Sequence, residues 1–353
     1  MPLPRLLSAA HLTMARMRMA ALGLGTVGMA SAGLATVGLA TGTALLLPGP
    51  GSGLATDAKP PLAATRLPSG VALELPTQAG LPRSQDGRHY PLVPASPTAI
   101  ASLLGQVEAA LRDPATPEAL LPRLGHQHQV IVRRLSRQVG LAQQVRALLP
   151  KRWQPVLDRH LRARRAFLAM HRGDPISRVP SWRIVAPEPA AELLRYYRKA
   201  AVATGIDWEV LAAVNLVETG MGRIDGLSVA NAQGPMQFLP STWAERGIGE
   251  GDIRDPHDAI QAAARYLVRR GGLKDIRRGL WGYNNSRHYG EAVLQYAQLL
   301  KEDPQAFRGL YHWEILIATS AGDLWLPVGY QQARPLAVET YLQQVPVSRP
   351  AQP

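Results

Sequence analysis

The feature that most limits the fold is a succession of short apolar stretches at helical spacing between Ala190 and about Leu300, each ended by glycine or proline. Such spacing predicts short amphipathic helices whose ends lie at the helix-breaking residues. The stripes with their flanking residues are Leu193, Leu194, Tyr197 and Ala201 before Gly205; Val210, Leu211, Val214 and Val217 after Asp207; Ile260, Ala263, Ala264 and Leu267 between Asp255-Pro256 and Gly271-Gly272; and Val293, Tyr296, Ala297 and Leu300. Apolar stripes separated by helix-breaking residues predict a mostly α-helical unit.

Two further patterns extend the prediction on either side. Ser96-Pro97 is typical of a helix start, and apolar residues follow it at helical spacing. Further helical segments are predicted from about Pro117 to Leu149 and from Lys151 to Met170. After the last stripe, the runs HWEILIAT and DLWLPVG flank Ser320-Ala321-Gly322, which predicts a β-hairpin.

The charge of the chain limits its partners. Lys and Arg number 39 against 26 Asp and Glu, a net charge of +13, so the expected partners are anionic: nucleic acid, acidic lipid or a charged wall polymer. Between Arg123 and Arg172 there are twelve Lys or Arg and one acid, Asp158. No nucleic-acid-binding motif accompanies them, so we interpret them as the solvated basic face of a helical subdomain, with phosphate binding as the alternative.

The chain has no cysteine. Disulfide scaffolds, thiolate zinc sites and thiol nucleophiles are therefore excluded, and any chemistry depends on oxygen and imidazole groups. Asp252, Asp255 and Asp258 lie close together, but they lack the alternating spacing of a calcium loop. We interpret them as capping and solvated residues, and we predict no metal and no cofactor.

The N-terminus predicts export. The first 18 residues contain Arg5, Arg16 and Arg18 but no acid, and no charged residue follows until Asp57. The glycine-diluted apolar part is long enough to span a bilayer, so a cleaved signal peptide and a retained anchor both fit. The basic flank places the N-terminus in the cytoplasm and the rest of the chain outside. Export disfavours nucleic acid as the partner.

Glu218 is the carboxylate whose position is hardest to explain as a surface residue. It lies seven positions after Leu211 and four after Val214, so it shares a helix face with apolar residues. It also falls in the last helical turn, before Gly220, where the helix dipole disfavours negative charge. Both effects favour the protonated form and predict a pKa above that of a free glutamate, as a general acid requires. The alternative is a structural carboxylate paired with Arg223.

A second segment, residues 232–243 (AQGPMQFLPSTW), carries polar groups suited to a ligand. Gly234 permits close backbone approach, and a predicted helical turn places one amide, Gln237, among apolar neighbours. An amide in such surroundings suits recognition of sugar hydroxyl and acetamido groups. Candidate stacking surfaces are Trp208, Trp243, Trp281 and Tyr283, although a core position is the commoner role for each Trp taken alone.

Together these motifs resemble those of the lysozyme-like lytic transglycosylases. Glu218-Thr219 stands at a helix end, GPMQF at 234–238 precedes PSTW, and Gly282-Tyr283-Asn284 precedes a helix. Their order and spacing are also similar. The likeness is greatest to the membrane-bound murein transglycosylase B type, in the exported actinobacterial form whose catalytic part follows a basic helical region. The resemblance covers roughly Trp182 to Gly329.

The resemblance implies a lysozyme-like α-helical domain that cleaves the β-1,4 bond between N-acetylmuramic acid and N-acetylglucosamine in peptidoglycan. It implies that Glu218 is the single acid/base, which protonates the glycosidic oxygen and then takes the proton of the C6 hydroxyl of the same muramyl ring. That hydroxyl attacks C1 and gives a 1,6-anhydro product without water. Ordinary glycosidases use two carboxylates, whereas the matched motifs contain one.

The same resemblance implies which residues bind the substrate. They are Thr219, Gly234, Met236, Gln237, Tyr283 and Asn284. Tyr283 is expected close to the acid, and Asn284 is expected to hold its loop. Thr219 stands where Ser is commoner, and Asn285-Ser286 replaces a common Ala-Gly, so the geometry of that loop is left open.

The resulting division of the chain has five parts. These are a signal peptide or anchor at 1–47, a flexible linker at 48–95, a basic helical subdomain at 96–180, a lysozyme-like transglycosylase domain at 181–305, and a C-terminal hairpin and tail at 306–353. Peptidoglycan strands are the expected partner, with anionic wall polymers or a membrane surface as further candidates. Two other functions stay open: a hydrolytic muramidase and a catalytically inactive wall-binding protein.

Overall fold

A computed structural model describes residues 83–170 and 175–345, together with residues 65–66, 72–73 and 75–76. The predicted export segment at 1–47, much of the predicted linker and the end of the predicted tail lie outside the described residues. Within the described ranges, no helix combines the length and the apolar character needed to cross a membrane.

The described chain is mostly helical, as predicted, with twelve α-helices. They are α1 Pro97–Arg112, α2 Leu121–Arg137, α3 Val139–Leu148, α4 Gln154–Met170, α5 Ala190–Thr204, α6 Trp208–Thr219, α7 Pro240–Trp243, α8 Pro256–Arg269, α9 Ile276–Tyr283, α10 Arg287–Glu302, α11 Ala306–Tyr311 and α12 Val338–Gln344. Single turns of 3-10 helix precede α2 at Glu118–Leu120 and α4 at Lys151–Trp153.

The described strands form four antiparallel pairs. They are β1 Thr65–Arg66 with β2 Ala72–Leu73, β3 Arg178–Val179 with β8 Leu336–Ala337, β4 Arg183–Ile184 with β5 Ile224–Asp225, and β6 Ile315–Thr319 with β7 Gly322–Leu326. The last pair confirms the predicted hairpin, in which Ser320 and Ala321 form the turn and Gly322 has a φ of 106°.

Most helix ends lie where the sequence places them. The Ser96 hydroxyl accepts from the Ala99 amide at the start of α1, and Asp255 accepts from the Asp258 amide at the start of α8. Gly205 ends α5 in the left-handed conformation. Asp207 precedes α6 as predicted, but its carboxylate contacts Lys301 and does not cap the helix. The single segment predicted from Pro117 is broken near Gln138 into α2 and α3.

One hydrophobic core runs through both the basic helical region and the helices that follow it. Ile100, Leu135 and Leu157 from the first region belong to the same cluster as Leu211 and Val293 from the second. Helix α4 packs along α10, and α10 packs along α6. The predicted boundary near residue 180 therefore does not separate two independent cores.

Buried polar groups also join the two regions. The Trp313 indole N–H donates to Nδ1 of His128 over 3.1 Å, and Nε2 of His128 lies 3.0 Å from Oε1 of Glu108. Because Nδ1 accepts, the imidazole proton is on Nε2 and is donated to Glu108. His128 thus links α1 to the segment before β6, and a metal ion on Nε2 would disrupt this arrangement.

Candidate active site

Glu218 lies in the last turn of α6, a helix that is buried on all sides. Every residue from Val210 to Thr219 is buried, whereas the sequence had predicted one inward stripe. Gly220 ends the helix with a φ of 62°, and Glu218 itself is 7% exposed. The carboxyl group therefore lies at the negative end of a helix dipole in largely apolar surroundings.

Tyr289 from α10 is hydrogen bonded to this carboxyl group. Its hydroxyl donates to Oε1 of Glu218 over 2.7 Å, and its side chain is buried. The sequence had placed Tyr283 next to the acid and had given Tyr289 no role. A phenol that is itself fixed in the core restricts the rotation of the carboxyl group, which is the orientation that a general acid needs.

Tyr283 holds a different part of the site. Its hydroxyl donates to the backbone carbonyl of Met236 over 2.7 Å. The rings of Tyr283 and Tyr289 are nearly parallel, with their centroids 6.2 Å apart. The stacked pair therefore joins the end of α6 to the loop that contains Met236.

That loop is a tight turn and not the helical turn that the sequence predicted. Gln233 and Phe238 exchange both backbone hydrogen bonds, so residues 234–237 form a closed turn between them. Gly234 has a φ of 71°, and a Cβ atom there would lie 1.9 Å from the carbonyl oxygen of Ile253. The close approach predicted for Gly234 is real, but its partner is the backbone of the protein.

Gln237 is the polar side chain of this turn that has an unused hydrogen-bond acceptor. Its φ of 49° is in the left-handed region, which is strained for a side chain of this kind. Its Nε2 donates to the Gly234 carbonyl, while Oε1 is buried and has no hydrogen-bond partner among the described residues. An amide oxygen held this way can accept a hydrogen bond from an N–H or O–H of a ligand.

Met236 and Thr219 do not fit the substrate contacts predicted for them. The Met236 side chain is fully buried in the core. Thr219 is also fully buried, and its hydroxyl donates to the Pro235 carbonyl over 2.6 Å and accepts from the Gly222 amide. Both residues position the turn against α6, and we correct their assignment accordingly.

Asn215 completes this connection, and sequence reasoning missed it. Its Nδ2 donates to the Pro235 carbonyl over 2.8 Å, and its Oδ1 accepts from the Tyr197 hydroxyl over 2.6 Å. The signal in the sequence was an amide inside an apolar helix, four residues before Thr219. Two side chains of α6 thus bind one carbonyl of the turn.

The loop between α9 and α10 orients Tyr289. Asn284 is buried and ends α9, with its amide N–H donating to the Leu280 carbonyl. The Ser286 hydroxyl then accepts from the Tyr289 amide and caps α10. The role of Asn284 in holding this loop stays a prediction. At Ser286, where the sequence departs from the common pattern, the side chain caps a helix.

Arg223 was the predicted partner of a structural Glu218. Its Nη1 donates to the Gly220 carbonyl over 3.1 Å, and its guanidinium lies over the ring of Tyr311. Burial lowers the pKa of Arg223. These contacts anchor the chain just after α6.

The three tryptophans proposed as stacking surfaces differ in how far their side chains are exposed. Trp208 packs edge-on against Phe307, and Trp243 packs edge-on against Phe238. Trp281 is 49% exposed, but it precedes Tyr283 by two residues on α9 and so points about 200° away from it around the helix. Trp281 therefore does not face the loop that Tyr283 binds.

The arrangement as a whole can transfer a proton and bind a polar ligand. It combines one buried carboxyl group, a phenol that orients it, and an amide oxygen on a strained turn. Residues 195–301, which contain all three, match the family model of the transglycosylase SLT domain. That match supports a lysozyme-like lytic transglycosylase that acts on peptidoglycan. Neither a curated protein nor a solved structure matches the chain.

Proposed function

We propose that this protein is an exported lytic transglycosylase of the membrane-bound murein transglycosylase B type, with Glu218 as its single acid/base. It cleaves the β-1,4 bond between N-acetylmuramic acid and N-acetylglucosamine and forms a 1,6-anhydromuramyl end. The observation that carries the proposal is the burial of Glu218 at the end of α6, with its carboxyl group hydrogen bonded to Tyr289.

In the first step, protonated Glu218 donates its proton to the glycosidic oxygen while the bond from C1 to that oxygen breaks. Positive charge develops at C1 of the muramyl ring, and the N-acetylglucosamine hydroxyl leaves. Burial supports this step because it favours the neutral acid before transfer. The Tyr289 hydrogen bond supports it by keeping the carboxyl group in one orientation.

In the second step, the C6 hydroxyl of the same muramyl ring attacks C1, and the Glu218 carboxylate takes the hydroxyl proton. The 1,6-anhydro bond forms, Glu218 is protonated again, and no water is consumed. One carboxyl group is sufficient for this cycle, whereas a hydrolytic glycosidase needs a second one to activate water or to attack C1.

Gln237 is the residue that we assign to substrate recognition. Its buried Oε1 can accept from an acetamido N–H or a sugar hydroxyl. Thr219, Asn215 and Tyr283 bind the backbone of the same turn and so fix the direction of this amide.

The test is mass spectrometry of muropeptides released from purified peptidoglycan in ¹⁸O-labelled water. The proposal requires 1,6-anhydro ends without label, and it requires the Glu218→Gln variant to be slower by a factor on the order of 10³. Reducing ends that carry ¹⁸O would instead establish the muramidase. Binding without turnover by both proteins would establish an inactive wall-binding protein.

A further inference from the structure

A cavity of about 70 Å³ lies beside the end of α6, where the basic helical region meets the C-terminal hairpin. Its walls include Arg133 of α2, Arg164 of α4, Tyr296 of α10, and Val217 and Gly220 at the end of α6. A space of this volume holds roughly five water molecules, so a carboxylate or a phosphate group fits. Glu218 is not among the lining residues.

Arg164 is a buried cation without an anionic partner. It is 9% exposed, and none of the carboxylates in the described ranges lies within ion-pair distance of it. Its Nε is buried without a hydrogen-bond partner in the described chain, and its guanidinium contacts the ring of Phe167. Burial, together with repulsion from Arg133, lowers the pKa of Arg164 to about 9, so the group is still charged at neutral pH.

The neighbouring charges leave the cavity positive. Arg133 and Arg137 both bind Asp323, with four nitrogen–oxygen contacts between 2.7 and 2.9 Å. Burial raises the pKa of Asp323, but the two arginines lower it overall, so this carboxylate is ionised. Glu314 also lines the cavity, and its Oε1 pairs with Arg88. Two carboxylates, Asp323 and Glu314, are thus balanced against four arginines, Arg88, Arg133, Arg137 and Arg164, which gives an excess of positive charge.

Tyr296 adds a hydrogen-bond donor to the same wall. It is buried at 4% exposure, and its hydroxyl has no hydrogen-bond partner within the part of the chain that the structure describes. Burial raises the pKa of Tyr296 to about 12, so the hydroxyl keeps its proton. The buried Nε of Arg164 is costly to leave without an acceptor, and Tyr296 lines the same cavity.

We infer that this cavity is an oxyanion-binding site in which Arg164 and Tyr296 bind a carboxylate or a phosphate group. The planar guanidinium matches either group through paired N–H donors. The site is separate from the Glu218 carboxyl group but shares the last turn of α6 with it. Part of the positive charge of the basic helical region would thus bind a specific ligand, whereas the sequence had predicted a solvated basic surface.

The test is thermal unfolding of the full chain in sodium phosphate, sodium acetate or sodium chloride at equal ionic strength. At concentrations about tenfold above the dissociation constant, phosphate or acetate is expected to raise the Tm by about 2–4 °C over chloride. The Arg164→Met variant should lose this increase. It should also unfold at a higher temperature than the wild type in chloride, because an unpaired buried charge has been removed.

Two further variants keep the inference testable if Arg164→Met folds poorly. Tyr296→Phe preserves the packing and should weaken anion binding several-fold. Arg162→Gln removes the same charge from an exposed position on α4 and should leave the anion effect intact. Equal stabilisation of the wild type and the Arg164 and Tyr296 variants, or no stabilisation of the wild type by either anion, would overturn the inference.

A second comparison separates the sources of the anion. If the proposed function holds, carboxylates of the peptides on muramic acid are one source, and free phosphate is the other. Peptide-bearing disaccharides of peptidoglycan and a disaccharide of N-acetylglucosamine alone, which has no carboxylate, should then differ in Tm effect on the wild type but not on the Arg164→Met variant. Equal effects of the two sugars, combined with a response to phosphate, would identify the free anion. Both results are independent of whether Glu218 cleaves glycan.

Discussion

The hydroxyl of Tyr289 lies 2.7 Å from Oε1 of Glu218, although 71 positions separate the two residues. The contact joins the end of α6 to the first turn of α10 and places a fixed donor on the candidate acid. Since Tyr289 also stacks on Tyr283, which binds the Met236 carbonyl, one pair of aromatic rings links the acid to the Gln237 turn.

Tyr289→Phe is expected to change the pH profile of the reaction. A hydroxyl that donates to a carboxyl group favours its ionised form, so removing it should raise the pKa of Glu218. The proton donor would then survive to higher pH, and the alkaline limb of kcat should move upward while kcat falls about tenfold from lost orientation. The measurement is the pH dependence of kcat for both proteins.

Tyr283→Phe is the matched control for that profile. It removes an equivalent hydroxyl from the stacked partner, whose bond is to the Met236 carbonyl. In the Tyr283→Phe variant, KM should increase, but the alkaline limb of the pH profile of kcat should not move as it does in Tyr289→Phe. An unchanged profile for Tyr289→Phe would contradict the role given to Tyr289. The expectation that Glu218 titrates above a free glutamate stays a prediction that the wild-type profile tests.

Thr219→Val is expected to loosen the Gln237 turn. The substitution keeps the shape of the side chain but leaves the buried Pro235 carbonyl with only the Asn215 donor. A stability loss of about 1–3 kcal/mol follows from the loss of the bond to Pro235 and of the bond from the Gly222 amide. Denaturant unfolding measures it, and Thr219→Ser should restore most of the loss. Equal stability of the Val and Ser variants would contradict the positioning role.

Gly234→Ala should be far more damaging than its size suggests. A Cβ atom there would lie 1.9 Å from the Ile253 carbonyl oxygen, and the φ of 71° disfavours any side chain. We expect a stability loss of more than about 2 kcal/mol and a loss of activity as the turn shifts. Gly140→Ala is the control, because α3 offers open space there. That variant should gain about 0.5–1 kcal/mol.

Stability should fall as the pH decreases below 6.5. Burial, with repulsion from Arg223, lowers the pKa of His312 to about 4, and burial lowers the pKa values of His126 and His160 well below 6.5. The unfolded chain binds protons at these imidazoles near pH 6.5, whereas the folded protein does not, so the free energy of unfolding decreases as the pH falls. His312 alone contributes about 3 kcal/mol between pH 6.5 and 4.

Denaturant unfolding at several pH values checks this slope. His312→Asn should flatten it, because the residue that gains a proton on unfolding is absent. His288→Asn removes an exposed imidazole from α10 and should leave the slope unchanged. A free energy of unfolding that is constant from pH 7 to 5 would contradict the prediction.

Local sequence signals were sufficient for the helices and for the place of the acid. Ser96, Gly205 and Asp255 mark helix ends in the structure where the sequence puts them. The spacing of Glu218 from Leu211 and Val214 correctly predicted that it is buried, although the structure buries every face of this part of α6. These signals depend on groups within a turn or two of each other, so the chain itself specifies them.

The sequence was less informative about what surrounds the acid. It predicted a helical turn around Met236, gave Thr219 and Met236 to the substrate, and missed Asn215 and Tyr289. In the structure the turn is closed by backbone bonds, and its left-handed conformation at Gln237 is held by Asn215, Thr219 and Tyr283. Propensity alone would not select such a conformation.

The sequence by itself determined the order of the helices, the buried position of Glu218 and the hairpin after α11. Only the tertiary structure decided that Tyr289 binds the acid and that Arg164 faces a cavity without an anionic partner. The physical reason is distance along the chain. Helix periodicity and capping act between near neighbours, whereas these contacts exist only after α4, α6 and α10 have packed into one core.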